Sequence, residues 1–385
     1  MIVVGTLEAF DVLENRFPGE LLRKVWDFLP LRDLISYGNT SRCNRLRVQY
    51  AIRQTADDEI RRFCADPISF RAMLWDNKSM VSGSVALAAL IPHGLRAWQP
   101  TDMDVYTPSK RVNRVLKYLE RTEGYKVFSR SLSNLSGYPD VGAVKEIVTL
   151  RDEQARHIDV IGSDQRSIFG PVFRFYGSHV FNGITGRGLM SMYPRQTLAG
   201  NSLWNLNAHR GGRIPVNVQK AMVKYMVREY TFSINPVLYL EHPHECGHLK
   251  SCPHTRRNMF DSGVMALLFP EDGVTDDAFL WNGVSFIYNL QQGNLWCLGG
   301  YPCEWDGDST VEAAHFLVEA RCKTILANER GNGDETSWSG GFVSYTIVLA
   351  HNAHLVVNSA FVFRNCTLGG GIFIKTYPEV CWTPT

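Results

Sequence analysis

The stretch SMVSGSVALAALIPHG (residues 79–94), read together with TDMDVYTP (101–108) and RHIDVIGS (156–163), decides the fold class of this chain. In the first segment an apolar, strand-like lead reaches Gly83-Ser84 and runs into VALAAL, so a tight turn falls at a helix N-terminus. Gly83 permits close backbone approach, Ser84 supplies a hydroxyl, and the first helical N–H groups attract an anion. In the second segment Asp102 and Asp104 are separated by one residue, so on an extended strand both project from the same face. Two carboxylates ~5 to 7 Å apart repel by about 2 to 3 kcal/mol at an effective dielectric of about 20, a penalty that a divalent cation reverses. Hard oxygen ligands favour Mg2+ or Mn2+ over zinc. In the third segment Ile158 and Val160 point to one side of a strand, and Asp159 points to the other with His157 and Ile161. If that strand lies beside the first, Asp159 bridges a second metal or acts as base toward an acceptor hydroxyl.

Working outward, residues 109–123 carry Val112, Val115, Leu116 and Leu119 at helical spacing. Strand-like runs follow at 125–128, 143–150 and 157–161, and the sheet is expected to close near Ile161. An aromatic, glycine-punctuated stretch and a helix at about 216–230 come next. Upstream, residues 17–62 read as short helices: Leu21, Leu22, Val25, Trp26 and Leu29 share a helical face, and Pro30 stops the run. Beyond Glu241 the composition turns to His and Cys, then to Gly, Asn and Trp with runs such as VSYTIVLA and HLVVNSAFVF, which favour β or mixed structure. The expectation is an α+β chain in three parts. These are a helical motif at 15–62, a central mixed sheet with helices at 63–240, and a C-terminal β-rich or mixed region at 241–385.

Composition sets limits on function. With 385 residues, 45% hydrophobic and 20% charged, the chain is long enough for two or three domains and can bury real cores. Its 40 Lys and Arg nearly balance 38 Asp and Glu, so a net charge of +2 provides no global field for nucleic acid or membrane, and any anion site is local. Nine cysteines at irregular intervals do not form a paired extracellular framework. The start MIVVGTLEAFDVLEN lacks the basic region of a secretory signal, and the longest apolar stretch, 342–363, is interrupted by His351, Asn352 and His354. The reading is an intracellular protein, cytoplasmic or nuclear, without a membrane span.

Strand, Gly-Ser turn, helix, strand with two alternating acids and a later strand with a third acid resembles the nucleotidyltransferase superfamily. The resemblance implies that Gly83 and Ser84 hold the phosphates of a nucleoside triphosphate. It further implies that Asp102 and Asp104 ligate two Mg2+ or Mn2+ ions, while Asp159 ligates the second and activates the acceptor, a protein or a nucleic acid. Two metals roughly 3.5 to 4 Å apart stabilise the attacking and leaving oxygens in such chemistry. One departure is the long interval from Ser84 to Asp102, which contains Pro92, Gly94 and Pro100.

The run FPGELLRKVWDFLPLRDLISYGNTSRCNRLRVQY (17–50) resembles an F-box, which implies binding of a Skp-type adaptor of a cullin ubiquitin ligase. Leu21, Leu22, Leu29, Leu31, Leu34 and Ile35 would supply the partner groove contact, since so short a segment cannot bury all its apolar residues alone. The alternative is a helical cap docked on the following domain. Gly38 counts against a standard helix there, at a cost of about 1 kcal/mol relative to Ala. Combined with FYGSHVFNGITGRGLMSMYPRQTLAG (175–200), the whole arrangement is similar to a group of F-box-like basidiomycete proteins.

Two further signals are local. EHPHECGHLKSCPHTRR (241–257) is dense in His and Cys, and Cys246, His248, Cys252 and His254 are candidate ligands for a structural Zn2+, against a polar loop with buried cysteines. Lys220, Lys224 and Arg228 recur every four residues as a basic stripe, for phosphates or as a solvated face. Two functions therefore compete. One is metal-dependent transfer of a nucleotidyl group from a nucleoside triphosphate to an acceptor. The other is a non-catalytic F-box substrate receptor built on a degenerate nucleotidyltransferase fold, with an F-box-like scaffold lacking any ligase role as a third reading.

Overall fold

The computed structural model describes residues 19–132, 143–163, 168–205, 216–233, 247–259, 261–270 and 295–299, and the backbone of two strands beyond them. In chain order the helices are α1 (Gly19–Trp26), α2 (Leu31–Gly38), α3 (Arg42–Arg61), α4 (Pro67–Asp76), α5 (Gly83–Leu90), α6 (Val112–Thr122), α7 (Phe169–Val172), α8 (Pro194–Leu198) and α9 (Val216–Val227). The strands are β1 (Met80–Ser82), β2 (Asp102–Pro108), β3 (Lys126–Leu132), β4 (Val144–Arg151), β5 (His157–Ser163), β6 (Asn182–Thr185), β7 (Gly188–Ser191), β8 (Asn201–Leu203) and β9 (Thr231–Ser233). Strands β10 (Arg257–Asn258), β11 (Met265–Leu268), β12 (Leu295–Trp296), β13 (Ala314–Ala320) and β14 (Val343–Leu349) follow. The chain is mixed α+β, with helices around a central mixed sheet.

That sheet has eight strands in the order β11-β7-β6-β1-β2-β5-β4-β3. Only β2 and β5 run parallel; the other neighbours are antiparallel. The expected end of the sheet near Ile161 is therefore too early, because β6, β7 and β11 extend it on the far side of β1. Strands β6 and β7 are buried on both faces, so their sequences show none of the alternation that marks a half-exposed strand. Strand β11, from beyond residue 240, pairs with β7 over Met265–Leu268 and so belongs to the same sheet as the carboxylate strands.

Two cores cover the sheet. Met103 and Val105 of β2, Val148 and Leu150 of β4, and Ile158 and Val160 of β5 lie in one core with Val115 and Leu119 of α6. On the other face Tyr106 and Ile161 join Phe169, Phe181 and Met190 in the second core. The alternating residues before them, at the start of β2 and β5, are polar and partly exposed.

The N-terminal helices belong to the first core. Leu31 and Leu34 are only 4% and 6% exposed and share a cluster with Val48 and Ile52 of α3 and Leu87 and Leu90 of α5. Burying each such side chain is worth about 1.5 to 3 kcal/mol. A small cavity of about 20 Å3, large enough for roughly one water, remains between Leu31, Leu34, Ala51, Ile52, Ala89 and Leu90, remote from the carboxylates. Gly38 is not a mid-helix defect: it ends α2, where an added Cβ would stand 3.3 Å from Val48 Cβ, so glycine allows α2 to lie closely on α3. Local signals set the helix starts. Ser41 accepts the Asn44 N–H at 3.1 Å to cap α3, and Asp66 accepts the Ile68 and Ser69 N–H groups before Pro67 opens α4.

A buried ion cluster fixes the long 91–101 connection to this helical unit. The Glu59 carboxylate of α3, with no exposed side-chain surface, pairs with Arg96, with Arg62 Nε at 3.1 Å and with His93 Nδ1 at 3.4 Å. Among the described residues no helix is long and apolar enough to cross a membrane. His351 and His354 lie outside the described residues; of the C-terminal β expectation the described residues give β11 in the main sheet, the β10–β12 pair and the backbone pairing of β13 with β14.

Candidate functional site

The three predicted acids arrive on adjacent central strands. Parallel pairing of β2 with β5 sets Asp104 directly beside Asp159, and Asp102 beside His157. The rows continue outward: Asp159 faces Thr149 on β4, and Asp104 faces Ser82 at the end of β1. Ser82, Asp104, Asp159 and Thr149 thus form one line across four strands. The chain between Ser84 and Asp102 is long, yet antiparallel pairing of β1 with β2 still brings the Gly-Ser turn against the acids.

Gly83 shows how close that approach is. Its φ of +67° lies in the left-handed region, and a Cβ built there would stand 2.5 Å from Asp104 Oδ2. Glycine is required twice over, by conformation and by space. Ser84, one residue into α5, is buried at 5% exposure.

Two of the carboxylates have one oxygen held by neighbouring side chains. Asp102 Oδ1 accepts the Thr101 hydroxyl at 2.9 Å and lies 3.7 Å from Lys224 Nζ. Asp159 Oδ1 accepts the Thr149 hydroxyl at 2.6 Å and contacts His157 Nε2 at 3.1 Å. Asp104 has Oδ2 against Gly83. Burial pushes the Asp104 carboxyl well above its ordinary value; the charges of Asp102 and Asp159 raise it further, and Lys224 opposes them. Asp104 is therefore biased toward its neutral form.

Lys224 comes from α9, so the basic stripe is not merely a solvated face. Arg228, one turn on, lies over the Trp98 ring at 4.1 Å and the Tyr225 ring at 5.1 Å, while Tyr225 is buried. Sequence spacing showed the stripe but could not show that Lys224 meets Asp102, because α9 begins more than 100 residues after β2. Thr101, Thr149 and His157 were legible only as neighbours of the acids on the same strands or the next one.

Three carboxylates with a single nearby ammonium supply hard oxygen donors and excess negative charge, which suits Mg2+ or Mn2+. As the side chains stand, no group of three or more His, Cys, Asp or Glu among the described residues encloses a metal position.

The remaining predicted residues fall elsewhere. His248 and His254 do not gather with Cys252 into a metal group; Cys252 is buried, with its sulfur 3.3 Å from the Gly247 N–H, and Cys246 lies outside the described residues. Of the adaptor set, Leu31 and Leu34 face the core, Leu29 and Ile35 pack partly buried against it, and Leu21 is 43% exposed. The Leu22 side chain is outside the described residues. Comparison with known proteins found no matching family model, no similar curated protein and no similar solved structure.

Proposed function

We propose that the face around Asp102, Asp104 and Asp159 binds a nucleoside triphosphate with divalent cations and transfers its nucleotidyl group to an acceptor. The observation that carries this reading is Asp104, a strained acid held between two further acids and the Gly83 turn. Structural ion clusters neutralise their charges, whereas this row leaves excess negative charge on a partly exposed surface. Bound Mg2+ or Mn2+ would neutralise that charge and polarise the phosphates. Asp102 and Asp104 are assigned to hold the ions, and Asp159 to ligate the second ion and accept the acceptor hydroxyl's proton. The Gly83 backbone and Lys224, once released from Asp102, orient the phosphate chain. Titration of the full chain with each nucleoside triphosphate in Mg2+ or Mn2+ tests this. Metal-dependent binding lost in Asp102→Asn and Asp104→Asn, with folding intact, is the expected result; absence of binding by the natural protein rejects it.

One observation favours a second reading, the F-box-like receptor. Leu21, Val25 and Phe28 lie at helical spacing along and just beyond α1 and are 43%, 57% and 63% exposed, so an apolar stripe faces outward although Leu31 and Leu34 do not. A Skp-type adaptor would meet that stripe. Co-purification with a Skp-type adaptor, abolished by Val25→Asp and retained in Leu34→Ala, is the outcome that supports this reading.

A further inference from the structure

We propose that Thr149 and His157 are positioning residues that lock Asp159 by its Oδ1 oxygen and so present Oδ2 to the cation and the acceptor. The inference rests on the nucleotidyltransferase reading above. Thr149 Oγ1 donates to Asp159 Oδ1 at 2.6 Å, and His157 Nε2 lies 3.1 Å from the same oxygen. A carboxylate only accepts, so His157 contributes the tautomer that carries its proton on Nε2. Two donors converging on one oxygen use its accepting capacity and fix the rotation of the carboxylate about its last bond.

The supports are themselves rigid. Thr149 is directly opposite Asp159 in the β4–β5 ladder, and its β-branched side chain has little rotational freedom. His157 is two residues earlier on β5, on the same face, and stands opposite Asp102 in the β2–β5 ladder. Asp102 is held differently: one of its two supports is the long Lys224 side chain, which contacts it at 3.7 Å across from another element. Asp159 is therefore the carboxylate whose orientation is set before a ligand arrives. Outer-shell hydrogen bonds to ligating groups commonly change metal affinity by about tenfold to a hundredfold.

The test is Mn2+ binding by the full chain, read from the electron paramagnetic resonance of the free ion, with and without nucleoside triphosphate. Thermal melts monitor folding. His157→Phe and Thr149→Val are expected to weaken Mn2+ binding by about tenfold or more. His157→Gln, whose amide reaches the place of Nε2, and Thr149→Ser, which keeps the hydroxyl, are expected to remain within about threefold of the natural protein on the same scale. If the natural protein binds Mn2+ and His157→Phe and Thr149→Val bind it equally well, the lock is overturned while the nucleotidyltransferase reading stands. Equal weakening in His157→Phe and His157→Gln would also overturn it for His157, since ring packing rather than donation would then matter. Failure of the natural protein to bind Mn2+ with or without nucleotide removes the parent reading and the lock with it.

Discussion

Two charged clusters in this protein have opposite balances. At Glu59, one carboxylate with no exposed side-chain surface is surrounded by Arg62, His93 and Arg96, and Arg96 itself is only 2% exposed. At the sheet, three carboxylates stand in neighbouring rows with one ammonium, Lys224, 3.7 Å from Asp102. The first cluster sets two guanidinium groups against its one carboxylate; Glu59 and Arg96 are buried in it, and Arg62 and His93 are 28% and 30% exposed. The second is short of cations and partly open, with Asp102 and Asp159 side chains 35% and 24% exposed. Burial makes both charge sets costly, but only the Glu59 cluster is compensated internally. The difference separates a clasp that joins α3 to the 91–101 connection from an acidic face that the proposed function fills with divalent cations.

The comparison can be broken at several points. Glu59→Ala leaves Arg96 buried without its carboxylate and is expected to destabilise by about 3 to 5 kcal/mol, read as a lower midpoint in urea. Leu34→Ala is expected to cost about 2 to 5 kcal/mol, against under about 0.5 kcal/mol for Phe28→Ala on the exposed stripe. Equal costs would refute the inward placement of α2. Gly83→Ala puts a methyl group against Asp104 Oδ2 on a left-handed backbone and should cost about 1 to 3 kcal/mol, with loss of nucleotide binding in the same titration.

One effect has the opposite sign. Asp104→Asn removes a disfavoured charge and is expected to stabilise the metal-free protein at neutral pH. Because the folded state raises the pKa of Asp104, folding favours its protonated form. Lowering the pH from that raised value toward the ordinary 3.8 should therefore restore stability to the natural protein but not to the Asn variant. The advantage of Asp104→Asn should shrink across that window and be absent below it, which paired melts along a pH series would show.

Much of the carboxylate row was legible because strand geometry is local. Alternation at Asp102 and Asp104, and at His157 and Asp159, is enough to place side chains on one face once a strand forms. The order of strands is not local, so β6, β7 and β11 escaped notice: short runs such as these, buried in β6 and β7 and half-buried in β11, read the same in a strand, a loop or a helix end. Nor did spacing reveal what Lys224 faces, since its contact with Asp102 depends on how α9 packs. The leucines of the N-terminal helices teach the same lesson. Periodicity identifies an apolar face, but Leu31 and Leu34 meet α5 inside while Val25 and Phe28 meet solvent.

The measurement that goes most directly to the claim of an under-compensated acidic row is thermal unfolding of the natural protein and Asp104→Asn, each with and without Mn2+. Without metal, the Asn variant should melt higher; with saturating Mn2+, the order should reverse, because only the natural protein gains binding energy at the row. An unchanged order, or an equal Mn2+ shift in both proteins, would contradict the account and leave the carboxylates as a solvated strand end.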